Sequence, residues 1–162
     1  MLYKIALVGN CGAGKSTWIK KLETGQFYKK YTPTADVDVI KISFNTSDGL
    51  ITFKFYDCTG RKGHDIFTNR NKYIDKSQGL IVMYDCYTYK EIKYHCMISD
   101  WIVGYTKHVV ICGNKNDLSP SSKYNNSTYS HCEISTKNDC DLQPLLLMIR
   151  KLSGNNELVF FK

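Results

Sequence analysis

The 162-residue chain lacks the features that mark membrane and secreted proteins. Its longest apolar run, about Leu80 to Tyr84, is far shorter than the roughly 18 residues of a membrane span. The first residues, Met1 to Val8, begin an apolar strand pattern without the parts of a signal peptide. Neither Leu2 nor the final Phe161-Lys162 fits a lipidation motif. We therefore expect one soluble, intracellular domain over residues 1–162, without a membrane anchor.

Paired cysteines and clustered basic residues are missing as well. The seven cysteines are odd in number and include no C-x-x-C pair, so we expect reduced thiols, not disulfides or a zinc ribbon. Only three of the 22 basic residues are arginines, and the lysines behind the net charge of +7 are scattered along the chain. This pattern favours a solvated surface over direct binding of nucleic acid.

Short apolar runs are present instead, and they are nearly continuous, as in parallel strands buried on both faces. The three clearest runs are Ile5 to Val8, Leu80 to Met83 and Val109 to Cys112. Between the first two, Val37 to Phe44 and Leu50 to Tyr56 are predicted to form an antiparallel hairpin across Ser47-Asp48-Gly49.

Helix signals alternate with these strands. The predicted helices run from Gly14 to about Thr24, between Arg61 and Asp75, from Thr88 to about Gly104, and from Asp141 to Gly154. A capping box, Thr88-x-x-Glu91, supports the third helix, and Pro144 in the first turn supports the last. The polar run Ser119 to Ser130 is predicted to be a surface loop. The alternation indicates an α/β fold: a doubly wound, mostly parallel six-stranded sheet with one antiparallel edge strand, helices on both faces, and ligand sites at the carboxyl ends of its strands.

A phosphate-binding motif follows the first strand directly. The run Gly9-Asn10-Cys11-Gly12-Ala13-Gly14-Lys15-Ser16 satisfies G-x-x-x-x-G-K-[ST] between a strand and a helix, as this motif requires. Its glycines let backbone N–H groups turn toward phosphate, Lys15 reaches the phosphate oxygens, and Ser16 is the predicted ligand of Mg²⁺. The chance alternative is a glycine-rich turn without a ligand.

Two later segments indicate which base is bound. Asn114-Lys115-Asn116-Asp117 ends a strand, and the Asp117 carboxylate can accept from both N–H groups on the guanine edge, which adenine does not offer. Lys115 is expected to lie along the base. Glu133-Ile134-Ser135-Thr136-Lys137 is expected to place a backbone N–H on the guanine oxygen. By itself N-K-x-D could be an ordinary turn; after the phosphate motif it predicts binding of GTP and GDP.

With these motifs the chain resembles the Ras superfamily of small GTPases from about Tyr3 to Phe160, and within it the Ran family. The Ran resemblance is carried by Thr24-Gly25-Gln26-Phe27, Lys29-Lys30-Tyr31, Tyr73-Ile74 with Gln78, Cys112-Gly113-Asn114-Lys115 and Arg150-Lys151-Leu152. The Rab family is the next candidate. The resemblance implies a single P-loop G domain with Mg²⁺ and GTP or GDP as ligands.

The same resemblance implies roles for individual residues. Phe27 would pack against the guanine, Thr34 would meet Mg²⁺ and the γ-phosphate, Asp57 would hold Mg²⁺ through water, and Gly60 would donate its N–H to the γ-phosphate. The implied nucleotide-binding set comprises Gly9, Asn10, Cys11, Gly12, Ala13, Gly14, Lys15, Ser16, Thr17, Phe27, Asn114, Lys115, Asp117, Ser135, Thr136 and Lys137, and the metal set comprises Ser16, Thr34 and Asp57.

Two positions depart from the family pattern in the same direction. Arg61 stands where the family has a glutamine that accepts from the attacking water, and arginine has donors only. Cys11 stands where the family usually has glycine, and its side chain would project into the space that this glutamine needs. The sequence leaves open whether Arg61 contacts a phosphate or extends into solvent. Both departures predict very slow hydrolysis.

Further departures concern partners. Asp36 replaces a common glycine, Thr136 replaces the usual alanine, and the chain lacks the acidic tail of Ran. The resemblance implies a monomer in nucleus and cytoplasm with karyopherin-type or other Ran effectors and an exchange factor as partners. Three functions remain open: a Ran-like, GTP-loaded binding module of nuclear transport, a slow but regulated Ran- or Rab-like GTPase, and a pseudo-GTPase.

Overall fold

The computed structural model describes residues 1–30, 32–60, 71–88, 101–102, 104–105, 107–118, 128–139 and 141–161. Its strands are β1 (Leu2–Val8), β2 (Val37–Thr46), β3 (Gly49–Cys58), β4 (Gly79–Asp85), β5 (His108–Asn114) and β6 (Ser130–Glu133). Its fully described helices are α1 (Lys15–Thr24) and α2 (Gln143–Ser153), with a 3₁₀ turn at Asn116–Leu118. Residues 71–76 and 101–102 are also helical.

The six strands form one sheet in the order β2-β3-β1-β4-β5-β6. Only the β2–β3 pair is antiparallel, and β2 lies at the edge. The predicted fold class is thereby confirmed. Since β1 lies between β3 and β4, the direction of strand addition reverses at β1, and such a reversal opens a ligand crevice at the carboxyl ends of the strands.

The core lies on both faces of the sheet. On one face α1 and α2 bury Trp18, Ile19 and Leu145 against Phe53 and Phe55 of β3. The other face is covered by helical residues that include Ile74, Trp101 and Ile102. Strands β1, β4 and β5 are sandwiched between these layers, which explains why their sequences are almost continuously apolar.

The hairpin extends beyond its predicted ends. Thr46 pairs with Gly49, so the turn consists of Ser47 and Asp48, and Gly49 already belongs to β3. The Thr46 hydroxyl donates to the Gly49 carbonyl (2.8 Å) and accepts from the Asp48 N–H (3.2 Å). Gly49 has a φ of +90°, which a residue with a side chain rarely adopts.

The described helix ends match the sequence signals closely. Helix α1 stops at Thr24, where the Gly25 N–H donates to the Lys21 carbonyl. Helix α2 begins slightly later than predicted: Leu142 is its N-cap, and Asp141 Oδ1 accepts from the Gln143 N–H at 2.8 Å. The α2 helix ends at Gly154 as predicted.

Some predictions fall partly outside the described residues. Residues 61–70, with Arg61, and residues 89–100, with Glu91 of the predicted capping box, lie outside them, as do residues 119–127 of the predicted polar loop. The loop prediction extended too far at its end, because Ser130 begins β6. Among the residues described, the cysteines carry no disulfide. Within the same residues, no helix is long and apolar enough to cross a membrane.

Candidate functional site

A cleft of about 340 Å³ opens at the carboxyl ends of β1, β3 and β5 and is also lined by the loop after β6. The predicted site residues that line it are Cys11, Gly12, Gly14, Lys15, Ser16, Thr17, Phe27, Thr34, Gly60, Asn114, Lys115, Asp117, Thr136 and Lys137. Other predicted residues, Gly9, Asn10, Ala13, Asp57 and Ser135, belong to the same segments but do not line the cleft. Arg61 lies outside the described residues. Folding therefore brings five separate segments of the sequence, which begin at Cys11, Phe27, Thr59, Asn114 and Thr136, to one cleft.

The loop between β1 and α1 has the shape of an anion cradle. Gly9 and Gly14 have positive φ angles of +137° and +93°. A Cβ atom at Gly9 would overlap the Met83 carbonyl, and one at Gly14 would overlap the amide of Asn114. Glycine is thus required at both positions by backbone conformation and by lack of space. The loop ends at the N-terminus of α1, where unpaired N–H groups and the helix dipole favour phosphate.

Lys15 is held inside this loop. Its side chain is buried, and Nζ donates to the carbonyls of Gly9 (2.8 Å) and Asn10 (3.0 Å). Burial lowers the pKa of the Lys15 ammonium, although the Asp57 carboxylate opposes this shift. The ammonium is positioned at the centre of the cradle, where phosphate oxygens could replace the carbonyls as acceptors.

Three oxygen-bearing side chains meet beside the cradle. The Ser16 and Thr34 hydroxyls are hydrogen-bonded to each other at 2.9 Å. Asp57, at the end of β3, is 1% exposed, and neither of its carboxylate oxygens has a hydrogen-bond partner within the described part of the chain. Burial raises the pKa of the Asp57 carboxyl, against the opposing effects of the nearby Ser16 hydroxyl and Lys15 ammonium.

This oxygen set fits a magnesium ion. Mg²⁺ prefers hard oxygen ligands and usually binds through one or two carboxylates together with phosphate and water. An unpartnered buried carboxylate is costly, and a cation would satisfy it. Ser16, Thr34 and Asp57 would hold the ion here, with nucleotide phosphates from the adjacent cradle. Among the described residues, no cluster of three or more His, Cys, Asp and Glu side chains offers another metal site.

Gly60 and Cys11 lie against each other at the open end of the cradle. A Cβ atom on Gly60 would overlap the backbone nitrogen of Cys11. The Cys11 side chain is exposed. The backbone at Cys11 therefore lies directly next to Gly60.

At the opposite end of the cleft, Asn114 connects the segments. It is 1% exposed, and its Nδ2 donates to the Ala13 carbonyl of the phosphate loop at 3.0 Å. Its Oδ1 accepts from the Thr136 N–H (3.1 Å), the Thr136 hydroxyl (3.0 Å) and the Lys115 N–H (2.8 Å). Asn114 is thus a structural link between the phosphate loop and the predicted base loops. The hydroxyl that distinguishes Thr136 from alanine contributes one of these bonds.

Asp117 and Lys115 are both held by side chains from other segments. The exposed Asp117 accepts a 2.6 Å bond on Oδ1 from the Ser135 hydroxyl. The Lys115 ammonium pairs with Asp85 Oδ2 at 2.7 Å, and Lys115 itself has a φ of +63°. The other carboxylate oxygen of Asp85 accepts from backbone N–H groups of the turn after β4. Both side chains are fixed before any ligand arrives.

Phe27 forms part of the cleft wall. It is 36% exposed, and the neighbouring Tyr28, Lys29 and Lys30 line the cleft with it. Phe27 is therefore accessible from the cleft, and its predicted packing against the guanine stays a prediction.

The described lining is strongly basic. Its six lysines are Lys15, Lys20, Lys29, Lys30, Lys115 and Lys137, against a single carboxylate, that of Asp117, among the described lining residues. A cleft with this balance attracts a polyanion such as a nucleotide phosphate chain.

Sequence reasoning missed two residues that shape the site. One is Asp85, which pairs with Lys115 and is the last residue of β4. A polar residue at the carboxyl end of a parallel strand could have identified it as part of the site. Lys21, whose ammonium bonds the loop after β6, had no such signal, because a second lysine beside Lys20 is typical of a solvated helix face.

Residues 4–146, most of the chain, match the family model described as the Ras family. The matched range includes the phosphate loop, Thr34, Asp57, Asp117 and the Ser135–Lys137 loop.

Proposed function

Since the chain belongs to the Ras family of GTP-binding switch proteins, we propose that it is a Ran-like switch that binds GTP or GDP with Mg²⁺ and hydrolyses GTP very slowly. The observation that carries the proposal is the juxtaposition of a glycine-shaped phosphate cradle with the buried carboxylate of Asp57, whose oxygens have no hydrogen-bond partner within 3.5 Å among the described residues. The cradle suits phosphate and the carboxylate suits a cation. Together they match a magnesium–nucleotide complex better than either ligand alone.

The switch would operate through Thr34 and Gly60. Both line the phosphate end of the cleft, and Thr34 reaches Ser16 through its hydroxyl. Mg²⁺, when bound, would neutralise charge on the phosphates. With a γ-phosphate present, the Thr34 hydroxyl and the Gly60 N–H would gain ligand contacts, and loss of that phosphate would release both segments.

Slow hydrolysis follows from two side chains. Arg61 offers five N–H donors and no acceptor, so it cannot take a hydrogen bond from the attacking water. Cys11 adds bulk at the point where its backbone lies against Gly60. The triphosphate would be bound firmly while the water nucleophile remains unoriented, so we expect turnover no faster than about 10⁻⁴ s⁻¹.

The Ran-like role rests on the Ran-like segments of the sequence. It places the protein in nucleus and cytoplasm, as a monomer that engages karyopherin-type or other Ran effectors when GTP is bound and that needs an exchange factor. Two alternatives are a slow but regulated Ran- or Rab-like GTPase and a pseudo-GTPase module. A pseudo-GTPase could hold GDP or no nucleotide, and the cleft argues only against the form without nucleotide, because Gly9 and Gly14 keep the positive φ angles of a phosphate loop although Cys11 is present.

The first experiment measures GTP turnover directly. The nucleotide in purified protein is identified by chromatography, and single-turnover hydrolysis is followed for wild type, Arg61→Gln, Cys11→Gly and the double variant. We expect wild type to gain less than about tenfold from a Ran-activating protein, and the double variant to gain about 10³-fold. Brisk cleavage by wild type would contradict slow hydrolysis, and rejection of GTP would contradict the proposed function altogether.

A second experiment addresses the Ran-like role. Protein loaded with GDP or with a non-hydrolysable GTP analogue is tested for binding to a purified karyopherin. Binding that requires the GTP analogue supports the role. Equal binding of both forms, or none, argues for a different branch of the family.

A further inference from the structure

Lys21 is a buried charged residue that the nucleotide contacts considered so far do not use. It lies in the last turn of α1 and is 7% exposed, whereas the adjacent Lys20 is exposed. A lysine near a helix C-terminus benefits from the helix dipole, yet lysines are almost never buried without polar partners. The partners of Lys21 therefore indicate why it lies inside.

Two of those partners are backbone carbonyls of the loop after β6. Lys21 Nζ donates to the Thr136 carbonyl at 2.8 Å and to the Lys137 carbonyl at 3.3 Å. Helix α1 begins at the phosphate cradle, and this loop lies at the base end of the cleft. The ammonium group thus connects the helix that follows the phosphate cradle to the loop expected to contact the base.

The connection continues to Asp117 through one peptide group. In a trans peptide the C=O and N–H point in opposite directions, so the carbonyl of Lys137 and the N–H of Asn138 lie on opposite sides. That N–H donates to Ser135 Oγ at 3.2 Å. The Ser135 hydroxyl in turn donates to Asp117 Oδ1 at 2.6 Å. Lys21 holds one end of a continuous series of hydrogen bonds that ends on the carboxylate.

We propose that Lys21 is a positioning residue for base selectivity: it fixes the loop after β6 so that Ser135 orients Asp117 toward the 2-amino group of guanine. This inference rests on the proposed nucleotide function. Each bond in the series polarises the next, which favours one orientation of the carboxylate. Without Lys21, the loop would keep its fold but hold Asp117 less firmly.

The test compares two bases that differ at one of the two N–H groups that Asp117 is expected to bind. Inosine nucleotides lack the 2-amino group and retain the other edge atoms. Competition of GDP and IDP against a fluorescent GDP is measured for wild type, Lys21→Met and, as a matched control, Lys151→Met on the exposed side of α2. We expect Lys21→Met to reduce the preference for GDP over IDP about five- to tenfold, the size expected for a weakened bond to a charged acceptor. Lys151→Met should keep the preference.

A second arm tests the route through Ser135. Lys21→Met and Ser135→Ala are combined in a double-mutant cycle. If both residues act through the same series of hydrogen bonds, the double variant should lose less of the preference for GDP over IDP than the sum of the two single losses. Circular dichroism checks folding, and Lys21→Gln enters the same comparison if Lys21→Met does not fold. The inference would be overturned if Lys21→Met weakened the affinities for GDP and IDP equally, or if the effects of Lys21→Met and Ser135→Ala on the GDP preference were fully additive. Either result would leave the proposed function intact. Failure of wild type to bind GDP would instead remove the proposed function and this inference together.

Discussion

The two ends of the cleft differ in how far the protein satisfies its own polar groups. At the base end, Asn114, Asp117 and Lys115 each have side-chain or backbone partners from a separate segment. At the phosphate end, the buried carboxylate of Asp57 has none among the described residues, although Lys15 is bonded to the loop itself. The base end is therefore organised before ligand binding. We expect a bound magnesium–nucleotide complex to supply the missing partners at the phosphate end.

This difference suits a switch protein. An unsatisfied buried polar group costs about 1–3 kcal/mol, and more when it is charged. Without a bound cation, the buried carboxylate of Asp57 therefore lowers the free energy of unfolding. Binding energy released there can reorganise Thr34 and Gly60. GTP and GDP carry the same base, so we expect no conformational change at the base end when one replaces the other.

The largest expected effect is at Asp57. In Asp57→Asn the shape is kept and the charge is removed, so the concentration of Mg²⁺ that half-maximally slows GDP release should rise about 100-fold, equivalent to about 3 kcal/mol. In EDTA the variant should be at least as stable as wild type, because a costly buried charge is gone. Release of GDP at a series of Mg²⁺ concentrations measures the first effect, and thermal unfolding in EDTA measures the second. A variant that is less stable than wild type even in EDTA would show that the carboxylate is satisfied without metal.

A smaller effect is expected from loosening the base end. In Asp85→Asn the ion pair to Lys115 is lost, and since Lys115 is about one-third exposed (35%), we expect a modest cost of about 1 kcal/mol. GDP release should accelerate about fivefold. Stopped-flow release of a fluorescent GDP measures this, with Asp75→Asn, an exposed carboxylate, as the matched control. An unchanged release rate would mean that Lys115 does not need Asp85 for its position.

The smallest effect concerns acid. His131 on β6 shares a 2.8 Å hydrogen bond with the Tyr84 hydroxyl, and burial lowers the pKa of its imidazole although Glu133 opposes this shift. A lowered pKa keeps the ring neutral in the native state, while the unfolded chain takes up a proton below about pH 6.5. Stability should therefore fall as the pH drops below that value. The urea midpoint between pH 7.5 and 5.5 should fall less in His131→Gln than in wild type, and a His108→Gln control should behave as wild type. If the urea midpoint fell equally with pH in wild type, His131→Gln and His108→Gln, the acid sensitivity would come from groups other than His131.

Much of the fold could be predicted because its signals are local. The runs that became β1, β4 and β5 are apolar on both faces, and the glycines at both ends of α1 mark backbone conformations that other residues avoid. The later start of α2 and the longer hairpin strands were missed, because element ends depend on hydrogen bonds that form only in the folded chain.

The sequence by itself determined which chemical groups are available: a glycine-rich phosphate motif, the Asp117 carboxylate that is expected to contact the base, and an arginine at position 61, where the family resemblance implies a water-orienting amide. Motifs at fixed spacing carry this information because residues that are close in the sequence remain close in the folded chain. Only the tertiary structure decided that Lys115 pairs with Asp85 and that Lys21 joins α1 to the loop after β6. These partners are 30 and 115 residues apart, and their contact depends on strand order and burial, which no local pattern specifies.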